Sequence, residues 1–191
     1  MSASGEAARS IPPEVARRVR LVVLDVDGVL TDAGVYVGRL PDGTGVELKR
    51  FDIQDGLGVK LLMRAGIVVA FVSGRVSGAT VLRARELGVG ECHEDAGARK
   101  LPLVGEIMER HGVGWDEVAM VGDDLPDLPV LLEVGLPVAV ANAQPEVLER
   151  AVWSTRSPGG RGAVREFCRE LLVARGQWDE VVREYLEERE G

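Results

Sequence analysis

A run of four aliphatic residues, Leu21–Leu24, is followed directly by Asp25, Asp27 and Gly28. An unbroken aliphatic run of this kind is typical of a strand in a parallel sheet that is covered on both faces. Aspartate does not continue such a strand well, so the two acidic residues are predicted to lie at its carboxyl end. In open α/β sheets ligands bind at this edge, and the sequence therefore predicts a functional site here.

Strand-like aliphatic runs alternate with helical stretches along most of the chain, which is the pattern of βαβ units. The fold class that follows is α/β, with a doubly wound, mostly parallel sheet. The predicted strands are residues 21–24, 67–72, 90–93, 118–121 and 138–140. The predicted helices are residues 56–64, 79–87, 100–111, 128–134, 146–151, 163–175 and 178–186.

Residues 33–51 interrupt this alternation. Two β-like segments, residues 35–37 and 46–51, are joined by a turn that contains Asp42 and Gly43, and this pattern predicts a protruding hairpin. An isolated two-stranded hairpin is only marginally stable in water, so it must pack on the body of the protein or on another subunit. We therefore expect a homo-oligomer.

The chain is long enough for one α/β domain and too short for two of ordinary size. We expect a flexible segment at residues 1–18, a domain at residues 19–176, and a C-terminal helix and tail at residues 177–191. The net charge of −8 argues against a nucleic-acid partner bound through a broad basic surface. No apolar run approaches the roughly 20 residues of a membrane-spanning helix, and residues 1–10 lack the apolar core of a signal peptide. A cytoplasmic protein with no membrane partner is predicted.

Polar side chains also follow the other predicted strands. Ser73 and Arg75 come after the second strand, Lys100 comes after the weak middle segment, and an acidic cluster follows the next strand at residues 122–127. Because parallel strands end at one edge of a sheet, these groups are expected to meet there. Carboxylates are the oxygen ligands that Mg²⁺ prefers, while a hydroxyl and an ammonium group can hold phosphoryl oxygens. The set predicts phosphoryl chemistry with a divalent cation.

In order and spacing, these motifs resemble those of the haloacid dehalogenase superfamily of phosphatases. The resemblance implies that Asp25 attacks phosphorus to form an aspartyl-phosphate, and that Asp27 protonates the leaving alcohol and later activates water. Ser73 and Lys100 would complete the catalytic set by holding the phosphoryl group.

The resemblance also implies the cofactor, Mg²⁺. Its ligands would be the carboxylates of Asp25 and Asp123 and the main-chain carbonyl of Asp27. Asp124 and Asp127 would orient either the water molecules on the metal or the side chain of Lys100.

Three stretches, residues 25–32, 51–60 and 159–166, resemble one cap-less branch of that superfamily, the 3-deoxy-D-manno-octulosonate 8-phosphate phosphatases. The resemblance implies that no cap domain is present, that the hairpin packs between the subunits of a tetramer, and that a neighbouring subunit helps to close the site. It also implies a place in the supply of this sugar acid for cell-surface polysaccharide. The glycine-rich residues 159–162 are either a plain loop or a lid that carries Arg161 over the site.

A carboxylated sugar phosphate needs positive charge at the end remote from phosphorus. Lys60, Arg75 and Arg83 can supply it, although such residues on helices often only keep a surface soluble. The substrate contacts implied by the resemblance are Asp27, Asp52, Ile53, Gln54, Asp55, Gly56, Lys60, Arg75, Arg83 and Lys100.

Two residues depart from the pattern of that branch. Members of the branch commonly have arginine where this chain has Gln54, and asparagine or histidine where it has Asp52. One cation is missing and one anion is added, so a related nine-carbon keto-deoxy sugar acid phosphate is an alternative substrate.

Two other classes of protein also remain. A signalling receiver domain places its phospho-accepting aspartate after the middle strand, so the order of motifs argues against it. A catalytically silent regulatory module would retain the fold without turnover.

Overall fold

Strand β1 (Leu21–Leu24) lies at the middle of a six-stranded parallel sheet in the computed structural model, which describes residues 10–190. All four of its residues are fully buried, as their unbroken aliphatic sequence predicts. Its two neighbours pair with it in parallel over its whole length. In sheet order the strands are β5 (Glu91–Glu94), β4 (Val68–Ser73), β1, β6 (Val118–Gly122), β7 (Leu136–Ala139) and β8 (Trp153–Ser154).

The chain winds away from β1 in two directions. From β1 it passes to β4 and then to β5 at one edge, and it returns to β6, β7 and β8 on the other side. The order therefore reverses between β1 and β6, which is where a doubly wound sheet opens a crevice for a ligand. The longer helices are α1 (Pro13–Arg18), α2 (Ile53–Arg64), α3 (Gly78–Leu87), α4 (Lys100–His111), α7 (Ala163–Arg175) and α8 (Trp178–Glu190), with short helices α5 (Leu128–Leu131) and α6 (Pro145–Leu148).

The predicted strands of the main sheet are all present, β1 with the predicted ends and the others with ends displaced by at most two residues, and α4 and α7 begin and end where predicted. Helix α2 begins at Ile53, three residues earlier than predicted, because the carboxylate of Asp52 accepts a hydrogen bond from the main-chain N–H of Gln54 at 2.8 Å and caps the helix. The two-residue strand β8 was not predicted, since its sequence is too short to show a period.

Helix α1 corrects the expectation of a flexible segment at residues 1–18. It packs against α7, with Ile11 and Ala16 buried. The guanidinium of Arg175 also donates to the main-chain oxygens of Ala16 and Val19, at 2.8 and 2.7 Å. The burial of these two side chains stabilises residues 11–18 against the body. The hydrogen bonds from Arg175 to carbonyl groups at the end of the helix contribute as well. Residues 1–9 of the predicted segment lie outside the described residues.

The hairpin is formed by β2 (Tyr36–Arg39) and β3 (Gly45–Leu48), which pair with each other and not with the main sheet. A single bridge between Thr31 and Phe51 closes its base. All the side chains of β2 are exposed, as expected of an insertion that protrudes from the body. Within residues 10–190 no cap domain accompanies it.

The C-terminal helix α8 extends to Glu190, beyond the end that its apolar residues predict. Val181 is buried against the body, and the guanidinium of Arg64 on α2 makes a bidentate pair with the carboxylate of Glu188. The acidic end is therefore helical and not only a solvated tail. In the part of the chain that the structure describes, none of the helices has the length and apolar character needed to cross a membrane.

Candidate active site

The turn after β1 brings Asp25 and Gly28 to the reversal point of the sheet. Gly28 has a φ of +115°, and a Cβ on it would overlap with the carboxylate of Asp123, which follows β6. Only glycine fits this turn, because other residues rarely adopt that φ and would displace the acid. The glycine thus allows the ends of β1 and β6 to lie side by side.

A buried cluster of three carboxylates and one ammonium group occupies this point. Lys100, at the start of α4, donates to Oδ1 of Asp127 at 2.6 Å and also to Oδ1 of Asp25. Asp127 accepts through its other oxygen from the main-chain N–H of Asp123 at 2.8 Å. Residues from three separate strand ends therefore form one connected network, as the motif order predicts.

The cluster carries more negative than positive charge. Burial, followed by the charge of Asp127, raises the pKa of the Asp25 carboxyl well above its usual value and that of Asp123 to about 7. Burial by itself lowers the pKa of Lys100, but the charges of Asp25 and Asp127 outweigh burial and the pKa is raised. One ammonium group does not balance three carboxylates, so the cluster favours a further cation.

The cluster fits a magnesium ion. One carboxylate oxygen from each of Asp25, Asp123 and Asp127 lies within 4.8 Å of the others, and these are the hard oxygen donors that Mg²⁺ prefers. A bound divalent cation would favour the ionised forms of these acids. Asp127, predicted to orient other groups, is thus also placed as a candidate ligand. That the main-chain carbonyl of Asp27 binds the metal stays a prediction.

Asp27 is not part of the carboxylate cluster and has different partners. Its carboxylate oxygen Oδ2 accepts from the hydroxyl of Ser73, which ends β4, at 3.2 Å. Both of its oxygens lie within 3 Å of the ammonium group of Lys49, at 2.8 and 2.9 Å. Sequence reasoning missed Lys49, since a lysine at the base of a hairpin shows no pattern that distinguishes it from a surface residue.

A cavity of about 170 Å³ joins the two halves of the site. Arg75 lies at its rim, where its guanidinium donates to the carboxylate of Glu47 on the hairpin at 2.9 Å. Ser73 is fully buried beside the cavity. Asp124 lines the cavity and caps the turn that follows, because its carboxylate accepts from the N–H of Leu125 at 2.7 Å. The predicted site residues that line the cavity are Asp25, Asp27, Arg75, Lys100, Asp123, Asp124 and Asp127.

The remaining predicted substrate contacts lie outside this cavity. Ile53 and Gln54 are exposed on the first turn of α2. Arg83 on α3 donates to the main-chain oxygen of Asp52 at 3.0 Å and passes so close to Gly56 that a Cβ there would overlap with it. Lys60 lies further along α2, in a shallow groove beside Tyr185 of α8. The structure thus brings Arg83 to the start of α2 and leaves Lys60 away from the cavity.

Asp55 is buried and faces α7. Its carboxylate accepts from the main-chain N–H groups of Arg165 at 2.8 Å and Gly162 at 3.3 Å. These are donors at the start of a helix that are otherwise unsatisfied. Burial raises the pKa of Asp55 to about 6 although the two N–H groups oppose the rise. In this structure Asp55 anchors α7, and its contact with substrate stays a prediction.

The glycine-rich residues 159–162 pack on the turn after β1. The N–H of Gly159 donates to Asn142 at 2.7 Å, and that of Gly160 donates to the main-chain oxygen of Val29 at 2.9 Å. A Cβ on Gly159 would overlap with Gly28, so the close approach requires glycine. Arg161 is exposed next to these contacts, 3.9 Å from the carboxylate of Asp32. Asn142 was missed from the sequence because an asparagine after a strand is common in turns.

A doubly wound sheet with these strand-end residues defines a class of hydrolase, and a profile of haloacid dehalogenase-like hydrolases matches residues 95–167. The 3-deoxy-D-manno-octulosonate 8-phosphate phosphatase KdsC of Escherichia coli K12 is 42% identical over 165 residues, which cover 86% of this chain and 85% of that protein. The chain therefore belongs to the haloacid dehalogenase-like hydrolases.

Solved structures agree with this assignment. The 3-deoxy-D-manno-octulosonate 8-phosphate phosphatase from Yersinia pestis superposes with a TM-score of 0.81 at 39% identity, over 87% of this chain and 88% of that one. The enzyme of the same name from Moraxella catarrhalis, in complex with magnesium, phosphate and KDO, superposes with a TM-score of 0.83 at 33% identity, over 91% and 97% of the two chains. This chain is thus similar to phosphatases over nearly its whole length.

Proposed function

We propose that this protein is an Mg²⁺-dependent phosphatase that hydrolyses 3-deoxy-D-manno-octulosonate 8-phosphate to the sugar acid and phosphate. The observation that carries the proposal is the pairing at one sheet edge of a buried Asp25, bound to Lys100, with Asp27, bound to Ser73, across a single cavity. Two carboxylates in different surroundings can act as nucleophile and as acid/base in one reaction. The similarity to phosphatases that carry this name supports the choice of substrate.

The residues divide the chemistry between them. Asp25 attacks phosphorus, and the bond to the leaving oxygen breaks as Asp27 gives that oxygen a proton. Asp27 then takes a proton from the water molecule that hydrolyses the aspartyl-phosphate. The ammonium group of Lys100 and the hydroxyl of Ser73 hold phosphoryl oxygens as charge develops on them.

Mg²⁺ would be held by Asp25 and Asp123, with Asp127 as a further candidate ligand and the main-chain carbonyl of Asp27 as the predicted one. When bound, the ion supplies charge stabilisation for the phosphoryl oxygens and for the ionised form of Asp25. Asp124 holds its loop in place through its hydrogen bond to the N–H of Leu125.

The carboxylate of the substrate needs cations beyond the phosphate end of the cavity. Arg75 at the rim is a candidate, and Arg83 is close to the start of α2, where its guanidinium already contacts Asp52. Exposed Gln54 and Ile53 on the same turn can contact the sugar. Arg161 can approach from the glycine-rich residues as a lid. Lys60 stays a predicted contact that would need a different approach of the substrate.

The hairpin supports a homo-oligomer, with a tetramer as the proposed form. Tyr36, Val37 and Leu48 are apolar and exposed on the two paired strands, and exposed apolar clusters on an otherwise charged surface mark sites of association. A neighbouring subunit that covers them would also lie near Arg75, which contacts the hairpin. The cytoplasm is the proposed location.

The test is phosphate release, with and without Mg²⁺, from a panel of eight-carbon and nine-carbon keto-deoxy sugar acid phosphates and simple sugar phosphates. We expect the highest kcat/KM for 3-deoxy-D-manno-octulosonate 8-phosphate. Preference for a nine-carbon substrate would retain the chemistry and reassign the pocket, with neutral Gln54 as the first residue to examine. No release from any substrate would favour a silent regulatory module and reject the proposal.

A further inference from the structure

Lys49 follows β3 at the base of a hairpin that is otherwise largely exposed. Its own side chain is 0% exposed, and its ammonium group lies 2.8 Å from Oδ1 and 2.9 Å from Oδ2 of Asp27. It also donates to the hydroxyl of Thr80 on α3, at 3.3 Å. Lys49 thus joins the hairpin and a helix of the body to one carboxylate of the site.

A structural anchor would not need this charge. An ammonium group costs several kcal/mol to bury, and an apolar side chain in place of a buried ionic group is often neutral or stabilising. A hairpin that required only attachment could therefore use a leucine or methionine at this position. Because the ammonium group of Lys49 is placed against the carboxylate of Asp27, we infer that Lys49 has a role in the site.

The contacts fix Asp27 from two directions. Ser73, at the end of β4, donates to Oδ2 at 3.2 Å, and Lys49 approaches both oxygens from the hairpin. Oδ1 of Asp27 is buried and has no hydrogen bond of good geometry among the described residues. Its close contact is the ion pair with the ammonium group of Lys49 at 2.8 Å. Asp27 lines the cavity, whereas Lys49 does not. Lys49 therefore acts from behind the carboxylate and does not touch the substrate.

We propose that Lys49 is a positioning residue for Asp27, which makes the hairpin part of the catalytic apparatus. It holds the carboxyl group where a proton can pass from Asp27 to the leaving oxygen. As this happens, the electron pair of the broken P–O bond stays on that oxygen and phosphorus becomes bonded to Asp25. The inference rests on the proposed function, in which Asp27 is the general acid.

The test uses the dependence of the rate on the leaving group. A sugar phosphate has a poor leaving group that needs a proton, whereas p-nitrophenyl phosphate has a good one that does not. With saturating Mg²⁺, Lys49→Met should lower kcat/KM, which reports the steps up to departure of the leaving group, by about 10- to 100-fold for the sugar phosphate, the cost of a misplaced group. Its kcat/KM for p-nitrophenyl phosphate should fall by less than about threefold. Equal losses on both substrates would overturn the inference.

A double-mutant cycle separates action through Asp27 from any other effect. Asp27→Asn should lower kcat/KM for the sugar phosphate by about 10²- to 10⁴-fold. Adding Lys49→Met to Asp27→Asn should change kcat/KM by less than about twofold, because Lys49 has no carboxyl group left to position. Losses that multiply in the double variant would show that Lys49 acts elsewhere, and the inference would fail.

The same data distinguish the two proposals. If Asp27→Asn lowers kcat/KM equally for both substrates, Asp27 is not the acid and both the proposed mechanism and the role of Lys49 are wrong. If Asp27→Asn shows the leaving-group dependence and Lys49→Met does not, only the role of Lys49 is wrong.

Two further variants guard against a loss of structure. Thr80→Val removes the second partner of Lys49 with little change in shape, and it should give a smaller loss with the same leaving-group dependence. Arg39→Met removes a positive charge from an exposed position of the same hairpin, and it should leave kcat within about twofold on both substrates. Circular dichroism and sedimentation confirm that each variant keeps its fold and assembly. A loss in Arg39→Met equal to that in Lys49→Met would overturn the inference.

Discussion

The strand ends and the hairpin differ in which side chains they bury: the strand ends bury charged groups, whereas the hairpin exposes apolar ones. At the strand ends, Asp25, Lys100 and Asp127 are each at most 4% exposed. On the hairpin, by contrast, Val37 is 77% exposed and Leu48 is 62% exposed. Folded proteins usually bury apolar groups and solvate charges. Each region departs from that rule in its own direction. The buried charges fit the proposed site for a cation and phosphate, and the exposed apolar groups fit the proposed contact with another subunit.

Lys49 connects these two regions. It leaves an exposed hairpin and ends, fully buried, on the carboxylate of Asp27. We therefore expect substitutions at the strand ends to change the chemistry, with a loss of stability where a buried charge is left unpaired. Substitutions on the exposed hairpin strands should instead change assembly. The variants below test this division.

The largest effect is expected from Asp25→Asn. Without the nucleophile, kcat should fall by at least about 10⁴-fold. Because burial raises the pKa of the Asp25 carboxyl, a neutral amide should not lower the free energy of unfolding in the absence of metal. Steady-state kinetics and urea denaturation measure the two quantities. Asp116→Asn, at an exposed position, is the matched control, and normal turnover by Asp25→Asn would reject the assignment.

A smaller loss of activity, with a loss of stability, is expected from Lys100→Met. Removal of its ammonium group leaves the carboxylates of Asp25 and Asp127 buried without their cation. We expect kcat to fall by about 100-fold, and the free energy of unfolding near about pH 8 to fall by roughly 3 kcal/mol. Saturating Mg²⁺ should restore part of the stability.

Lys60→Met provides the matched comparison for stability, because that lysine is exposed on α2. It should change the free energy of unfolding by less than about 0.5 kcal/mol. Equal destabilisation by the two lysine variants would contradict the importance of the buried network.

An effect of pH is expected at Asp55, which lies on the first turn of α2 and anchors α7. Its pKa is raised to about 6 by burial, so the folded protein binds this proton more tightly than the unfolded chain does. The group therefore favours folding below the ordinary pKa of aspartate, and this contribution is lost as the pH rises through about 6. Relative to Asp55→Asn, the stability of the natural protein should fall by up to roughly 3 kcal/mol between about pH 4 and about pH 7. Urea denaturation across this range measures the difference, and a constant difference would contradict the prediction.

The smallest effect on a single subunit is expected from Val37→Asp. Since Val37 is exposed, the free energy of unfolding of the subunit itself should change by less than about 0.5 kcal/mol. A charge placed in an apolar interface should nevertheless shift the protein toward smaller species in sedimentation velocity. An oligomer of unchanged size would show that the exposed face of the hairpin is not the contact between subunits.

The site was predictable from the sequence to different degrees. Asp25, Asp123 and Lys100 were placed together correctly, because aliphatic runs locate the strands and parallel strands end at one edge. The hydrogen bond that Asp55 accepts from the N–H of Arg165, 110 residues away in the chain, could not be predicted. Lys49 was not predicted at all, since the approach of a hairpin to a carboxylate has no local pattern.

The sequence by itself determined the elements and the class of chemistry, because strand and helix periods, turn residues and the order of the motifs are properties of neighbouring residues. The tertiary structure alone decided which side chains share one carboxylate. It brought Lys49 across 22 residues to Asp27 and Asn142 across 17 residues to Gly159. Such contacts depend on the packing of whole elements against one another, and the free energy of that packing is not contained in any single segment.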